Sequence, residues 1–157
     1  MGNKINDQSL TNIFKHLKEI KLQEIQWKIL HNIFPTNILL NRMGLKRTEN
    51  CDLCNEKDFV EHYFYNCNKL SKFWKYISDF LNLKLDKKVN LFDYAILLGI
   101  EQNHNNTELT KKEVSFINNI LVVAKLSIIK SKLSNFNIIF IFENEIRLRK
   151  FAHELDK

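Results

Sequence analysis

Apolar residues recur every three or four positions along most of the chain, and this spacing predicts amphipathic α-helices. Residues 8–34 carry such a stripe, from which we expect two helices with a break near residues 20–22. Pro35 ends this segment, because the residue before a proline avoids the α region. Trp27 lies on the stripe and is expected to be part of the core, as is Trp74 in a later helical segment that begins near Phe59.

Residues between these segments carry helix-end signals. Thr36 or Asn37 can cap a short helix over residues 38–43, and Gly44 suits the left-handed position that follows a helix. Further on, residues 91–100 predict another helix and 101–109 a loop. Thr110 and Glu113 have the spacing of a capping box, in which each side chain bonds the other residue's backbone N–H. The long helix that they begin should reach about Leu133.

The segment 136–155 is ambiguous. Residues 137–142 are β-branched and aromatic, which is typical of a strand, whereas residues 143–155 have a helical pattern. No partner strand is evident, so we expect a helix. The chain has only 3 glycines and 1 proline, which disfavours a turn-rich β-fold. Helices should therefore dominate the fold.

All three cysteines lie within 17 residues, in the pattern C-x2-C-x7-H-x4-C formed by Cys51, Cys54, His62 and Cys67. An odd number of cysteines makes a disulfide framework a poor explanation. Four soft donors at this spacing match a closed tetrahedral Cys3His zinc site. Buried free thiols or a catalytic Cys/His pair are the alternatives, but a nucleophile needs one activated thiolate and an open pocket.

A site with four protein ligands leaves no position for a reactive water, so we expect one structural Zn²⁺ and no catalytic residue. The predicted fold class is all-α: an irregular helical domain with a Cys3His zinc knuckle inserted between helices. The chain is not expected to be an enzyme.

Charge adds a second candidate feature. The net charge is +6, of which residues 1–88 carry +5. A basic excess on one half suits a nucleic acid or another acidic partner. Lysine acts as a point charge, so contact with phosphates is expected rather than base readout. An ordinary solvated surface explains these lysines equally well. The candidate phosphate contacts are Lys28, Arg42, Lys46, Arg47, Lys69, Lys72 and Lys75, and Tyr65 is the candidate for stacking on a base.

A family resemblance rests on a combination of elements in residues 22–83. These are the run from Ile25 through Trp27 and His31 to Pro35-Thr36-Asn37, then Arg42-Met43-Gly44, the Cys/His pattern, and Phe73-Trp74. Together they resemble the zinc-binding segment found after the polymerase in LINE-type non-LTR retrotransposon proteins. A weaker similarity to the C-terminal tail of such proteins follows at residues 97–99 and 124–132.

The resemblance implies an accessory module that helps to hold RNA or DNA during reverse transcription. We expect a helical zinc-binding module at 1–88 and a C-terminal helical extension at 89–157 packed on it. The chain has no acidic polymerase signature of the Tyr/Phe-Ala-Asp-Asp type. We therefore expect a fragment, a relict or a free-standing descendant without polymerase activity. Its expected partners are a nucleic acid backbone and a reverse transcriptase or other protein.

Two further expectations concern the setting of the protein. No secretory signal opens the sequence, and its longest charge-free apolar stretch is too short to span a bilayer, so we expect an intracellular protein without a membrane partner. The main alternative function is a zinc-stabilised structural or protein-interaction domain, or a relict, with no nucleic-acid activity. In that case apolar helices near residues 114–142 would contact a protein partner.

Overall fold

The computed structural model describes residues 17–101 and 108–149, and within these ranges the chain is helical and has no strand. The expected all-α class is confirmed. The expected helix before residue 17 and most of the predicted loop at 101–109 lie outside the described residues. The helices are α1 Ile20–Leu30, α2 Asn37–Arg42, a π-helical turn His62–Asn66, a 3₁₀ turn Asn68–Leu70, α3 Ser71–Leu85, α4 Asp93–Leu98, α5 Lys111–Ser134 and α6 Ile138–Arg149.

The described residues form two compact units. Residues 27–97 make up one contiguous unit, and residues 17–26 group with 98–101 and 108–149 in the other. The expected division at residues 88 and 89 stays a prediction. The expected packing of the second half on the first stays a prediction.

The helix ends in the 27–97 unit confirm the expected signals. The Thr36 side chain accepts a hydrogen bond from the Leu39 N–H at 3.5 Å, and Gly44 has a φ of +74°. In α3 the buried residues Phe73, Trp74, Ile77 and Leu81 follow the helical spacing. Trp74 is therefore a core residue, as predicted.

The expectation that Trp27 belongs to the core is wrong. Its side chain is 47% exposed and contacts His31, with 4.5 Å between the ring centroids. The buried stripe of α1 consists of Leu22, Ile25 and Ile29. Trp27 lies two residues from both isoleucines, a rotation of about 200°, and so projects from the opposite face.

In the other unit, α5 is buried on nearly every side from Val114 to Ile128. The capping box at its start is present as predicted, with the Thr110 and Glu113 side chains each bonding the other's backbone N–H. In the described part of the chain, α5 is also the one helix long and apolar enough to cross a membrane. Its most apolar window is 78% buried, as expected for a core helix.

Helix α6 resolves the ambiguity at residues 136–142 in favour of a helix. Asn135 takes the left-handed conformation after α5, so the chain turns back and α6 packs along α5. The Phe142 side chain is fully buried. Helical packing, and not a strand pair, therefore covers Phe142.

Charged groups connect α6 to α5 and to the segment before α1. The Arg149 guanidinium donates to the Glu19 carboxylate at 2.7 and 2.8 Å, and both Lys130 and Arg149 pair with Glu145. Burial raises the pKa of Glu145, but the hydrogen bonds from Lys130 and Arg149 outweigh burial and hold it below its usual value. Glu145 therefore remains ionised inside this network.

A lysine is buried in the same unit. Lys125 lies in the middle of α5, is 1% exposed, and donates to the Gln26 side-chain oxygen at 2.6 Å. Burial lowers the pKa of Lys125 to about 7, because the charged amine loses its hydration. Above this pH the folded chain holds Lys125 neutral, whereas the unfolded chain keeps it protonated up to about pH 10.

This difference predicts a pH-dependent stability. Between pH 7 and 10 the unfolded state binds more protons at Lys125, so folding becomes more favourable as pH rises, by up to about 1.4 kcal/mol per pH unit. The substitution Lys125→Met should remove this part of the slope, measured as the difference in unfolding free energy between pH 7 and 8. The matched control is Lys112→Met at an exposed position of α5. Equal slopes in both variants would contradict the prediction.

Candidate metal centre

Cys51 and Cys54 lie at the tip of a short hairpin, residues 49–58, which we call the cysteine hairpin. An isolated antiparallel bridge joins Asn50 to Lys57, and the Cys51 N–H donates to the Glu56 carbonyl at 2.6 Å. The Asn55 N–H closes the turn on the Cys51 carbonyl at 3.0 Å. Asn55 has a φ of +65°, a left-handed conformation that asparagine tolerates better than most residues. This turn brings the two thiols to one side of the backbone.

His62 and Cys67 come from a second element, the π-helical turn His62–Asn66. The Cys67 N–H donates to the His62 carbonyl at 3.2 Å, which is the i→i+5 bond of a π turn. The sequence indicated slightly more than one helical turn between these residues. A π turn meets that requirement and brings the His62 and Cys67 side chains to the same face.

The four side chains converge. Their ligating atoms all lie within 4.8 Å of one another, and the Cys54 Sγ and His62 Nε2 atoms are 3.1 Å apart. Cys51, His62 and Cys67 are buried and Cys54 is partly exposed. A zinc ion about 2.3 Å from each sulfur would place the sulfurs about 3.8 Å apart. The donor atoms are therefore close enough for one tetrahedral ion, and three thiolates with one imidazole are donors that zinc prefers.

Surrounding groups orient these donors. The Leu53 N–H donates to the Cys51 Sγ at 3.4 Å, and the Lys69 backbone N–H donates to the Cys67 sulfur. The Glu56 carboxylate lies 3.8 Å from the His62 Nδ1 atom. A carboxylate on this side of the ring favours a proton on Nδ1 and leaves Nε2 to bind a metal. In the structure it is the Nε2 atom of His62 that faces the Cys54 thiol.

Burial raises the pKa of the Cys67 thiol to about 11, and the nearby Cys51 and Cys54 thiols add to the increase. The free thiol is therefore protonated at neutral pH. A metal must displace this proton, because only the thiolate binds zinc. The nearby Tyr63 hydroxyl also has a raised pKa, caused first by burial and then by Asp58.

The metal centre is attached to the rest of its unit at two points. The Asp58 carboxylate accepts the Asn37 backbone N–H at 2.9 Å, and the Asn37 side chain donates to the Asn50 carbonyl at 2.8 Å. These bonds hold the cysteine hairpin against the start of α2. At the second point, the Trp74 indole N–H donates to the Phe64 carbonyl at 2.7 Å, which fixes the π turn to α3.

The structure distributes the expected nucleic-acid contacts over several elements. Arg42 and Arg47 are exposed on either side of Gly44. The Lys46 ammonium pairs with the Asp52 carboxylate at 2.9 Å, and Asp52 lies between Cys51 and Cys54 in the chain. Lys69 lines an open cavity of about 520 Å³ together with Cys51 and Cys54. Lys72 and Lys75 are exposed on α3, and Lys28 is partly buried in α1.

The comparison with protein families supports the same interpretation of the Cys/His cluster. Residues 1–74 match the family model described as zinc-binding in reverse transcriptase. The resemblance seen in the sequence is thereby confirmed for this part of the chain. The matched segment contains all four clustered side chains, which form a candidate zinc site between helices. No curated protein and no solved structure matches the chain.

The residues that support the centre carry no recognisable sequence pattern. By pattern, Glu56 and Asp58 resemble ordinary surface residues. In the structure Glu56 faces His62, and Asp58 is buried against the start of α2. The Asp58 carboxylate belongs to no spacing motif, and its partner lies 21 residues away in the chain. Only the tertiary fold reveals that contact.

We expect the cluster to bind zinc and to stabilise its unit. The double variant Cys51→Ser with Cys54→Ser, and separately His62→Asn, should lose stoichiometric zinc and melt at a lower temperature. Each change removes a donor from a four-ligand shell whose binding free energy contributes to folding. Zinc content by elemental analysis and thermal unfolding followed by circular dichroism provide the measurements.

The matched control for this prediction is His31→Asn, since His31 is exposed and outside the cluster. It should keep both zinc and melting temperature. Unchanged zinc content in the cysteine double variant would refute the assignment.

Proposed function

We propose that this chain is a zinc-stabilised accessory module that contacts the sugar–phosphate backbone of RNA or DNA and has no polymerase activity of its own. The observation that carries the proposal is the convergence of a complete Cys3His set within a segment that matches the reverse-transcriptase zinc-binding family. A closed four-ligand shell suits a structural ion, which would hold the surrounding surface in a fixed shape.

The charges near the cluster support phosphate contact. Arg42 and Arg47 extend into solvent close to the cysteine hairpin. Lys72 and Lys75 are three residues apart on α3 and therefore share one face. These side chains form the basic set: Arg42, Lys46, Arg47, Lys69, Lys72 and Lys75.

Members of the basic set should not contribute equally. The Lys46 ammonium is held 2.9 Å from the Asp52 carboxylate, so part of its charge is already neutralised. Arg42 and Arg47 offer planar guanidinium groups that can bind a phosphate with two parallel hydrogen bonds. We therefore assign the larger share of phosphate binding to the two arginines.

The experiment is a binding titration of zinc-loaded protein with a single-stranded RNA and a duplex DNA over a salt series. Binding should weaken as salt rises, with a logarithmic slope of about −0.7 per phosphate contact on a single strand. The variant Arg42→Ala with Arg47→Ala should bind less tightly and show a shallower slope. Lys46→Ala should have a smaller effect, because its charge is already paired.

The control variant is Lys111→Ala with Lys112→Ala, which removes two exposed charges from the start of α5 in the other unit. Its binding should equal that of the wild type. A wild-type protein that binds neither nucleic acid at low salt would overturn the proposal.

The second candidate function is a protein-interaction domain, and one observation favours it. Leu133, Phe136 and Phe140 around the turn from α5 to α6 are strongly exposed, with Leu133 at 81%. Large exposed apolar groups often mark a contact surface. These residues lie at the end of the region near 114–142 that is expected to contact a partner in this case, whereas α5 is buried from Val114 to Ile128.

A further inference from the structure

A cleft of about 310 Å³ opens beside the π turn, and the family match assigns it no role. It includes Tyr65, the residue that the sequence analysis offers for stacking on a base. Its walls come from the π turn, from α3 and from the segment that leads into α4. We call it the Tyr65–Phe92 cleft after the two aromatic residues at its walls. Its defining residues are Tyr65, Trp74, Ser78, Asn82, Lys88 and Phe92. The volume is at the lower end of the range for small-ligand sites, which suits one flat group rather than a large molecule.

Two of the rings in the cleft are held by hydrogen bonds. The Tyr65 hydroxyl donates to the Asp93 carboxylate, and the Trp74 indole N–H donates to the Phe64 carbonyl at 2.7 Å. Both polar groups are thus engaged outside the cleft. The partly exposed Tyr65 ring remains as a surface that a ligand would meet, whereas Trp74, at 7% exposed, belongs to the buried part of the wall. Rings that are already fixed lose little conformational entropy when a ligand stacks on them.

Phe92 adds a ring at the entrance. It is 50% exposed and lies nearly parallel to the Tyr94 ring, with an interplanar angle of 5° and 6.3 Å between centroids. An exposed aromatic face is a surface on which a nucleobase can stack.

The polar residues in the cleft suit a nucleotide. Asn82 Oδ1 accepts the Val89 N–H at 2.8 Å, which fixes the amide at the wall. Ser78 and Asn90 also line the cleft and carry the donors and acceptors that bind base edges. The exposed ammonium of Lys88 provides a positive charge for an adjoining phosphate.

We propose that the Tyr65–Phe92 cleft receives one unpaired nucleobase of a single-stranded nucleic acid, with Lys88 contacting the phosphate next to it. The inference rests on the proposed nucleic-acid function and specifies its ligand as single-stranded. A paired base keeps its faces inside the duplex stack and cannot enter such a cleft, whereas unpaired bases stack readily on aromatic side chains.

The test compares two oligonucleotides with the same number of phosphates, a twelve-nucleotide oligouridine and a twelve-unit abasic strand. The protein is the zinc-loaded full chain carrying Trp27→Phe. Since the chain has two tryptophans, this change leaves Trp74 in the cleft as the sole reporter of tryptophan fluorescence. Affinity is read from fluorescence anisotropy of the labelled oligonucleotides, and occupation of the cleft from quenching of Trp74.

The oligouridine should bind about tenfold more tightly than the abasic strand, and it alone should quench Trp74. Phe92→Ala and Tyr65→Leu should each remove most of this preference and leave the affinity for the abasic strand unchanged. Tyr65→Phe keeps the ring and should retain the preference. Phe140→Ala removes an exposed ring from the other unit and serves as the matched control.

The outcomes separate this inference from the proposed function. Equal affinity for both strands, with no quenching of Trp74, would leave phosphate binding intact and overturn the base-binding cleft. A preference that survives both Phe92→Ala and Tyr65→Leu would also overturn it. Absence of binding to either strand at low salt would overturn the proposed function and, with it, the single-stranded ligand of the cleft.

Discussion

The meeting of three thiols and one imidazole within 4.8 Å is the constraint on which the rest of the 27–97 unit depends. Two backbone turns of different kinds supply these groups, and neither turn has a long hydrogen-bonded ladder to stabilise it. Once deprotonated, the three thiolates would repel one another without a cation between them. A bound zinc ion would convert this repulsion into attraction and join the cysteine hairpin to the π turn.

The same π turn connects the metal centre with the aromatic cleft. His62 begins the turn, Phe64 bonds the Trp74 indole through its carbonyl, and Tyr65 faces the cleft. Both sites therefore depend on the conformation of one five-residue stretch of backbone. Metal binding and the shape of the cleft are properties of one short segment, and a change in either should be detectable at the other.

Local signals in the sequence were sufficient for much of the structure. The Cys/His spacing, the Thr36 cap and the Thr110–Glu113 box each depend on residues close together in the chain, and each is present. The location of Trp27 depended instead on which face of α1 is buried, and periodicity alone did not decide that. The pairing of Lys125 with Gln26 joins residues 99 apart, and such a contact leaves no local pattern. The separate roles of the individual basic residues remain predictions.

The grouping of the chain into units has a consequence for synthesis on the ribosome. Residues 27–97 are contiguous, so every contact within that unit becomes available soon after the segment emerges. The other unit combines residues 17–26 with helices that follow residue 98, and the Glu19–Arg149 pair spans 130 residues. Closing so long a loop costs entropy and cannot occur until α6 has been made. The metal-binding unit can thus fold during translation, whereas the other unit is completed only after α6 has been made.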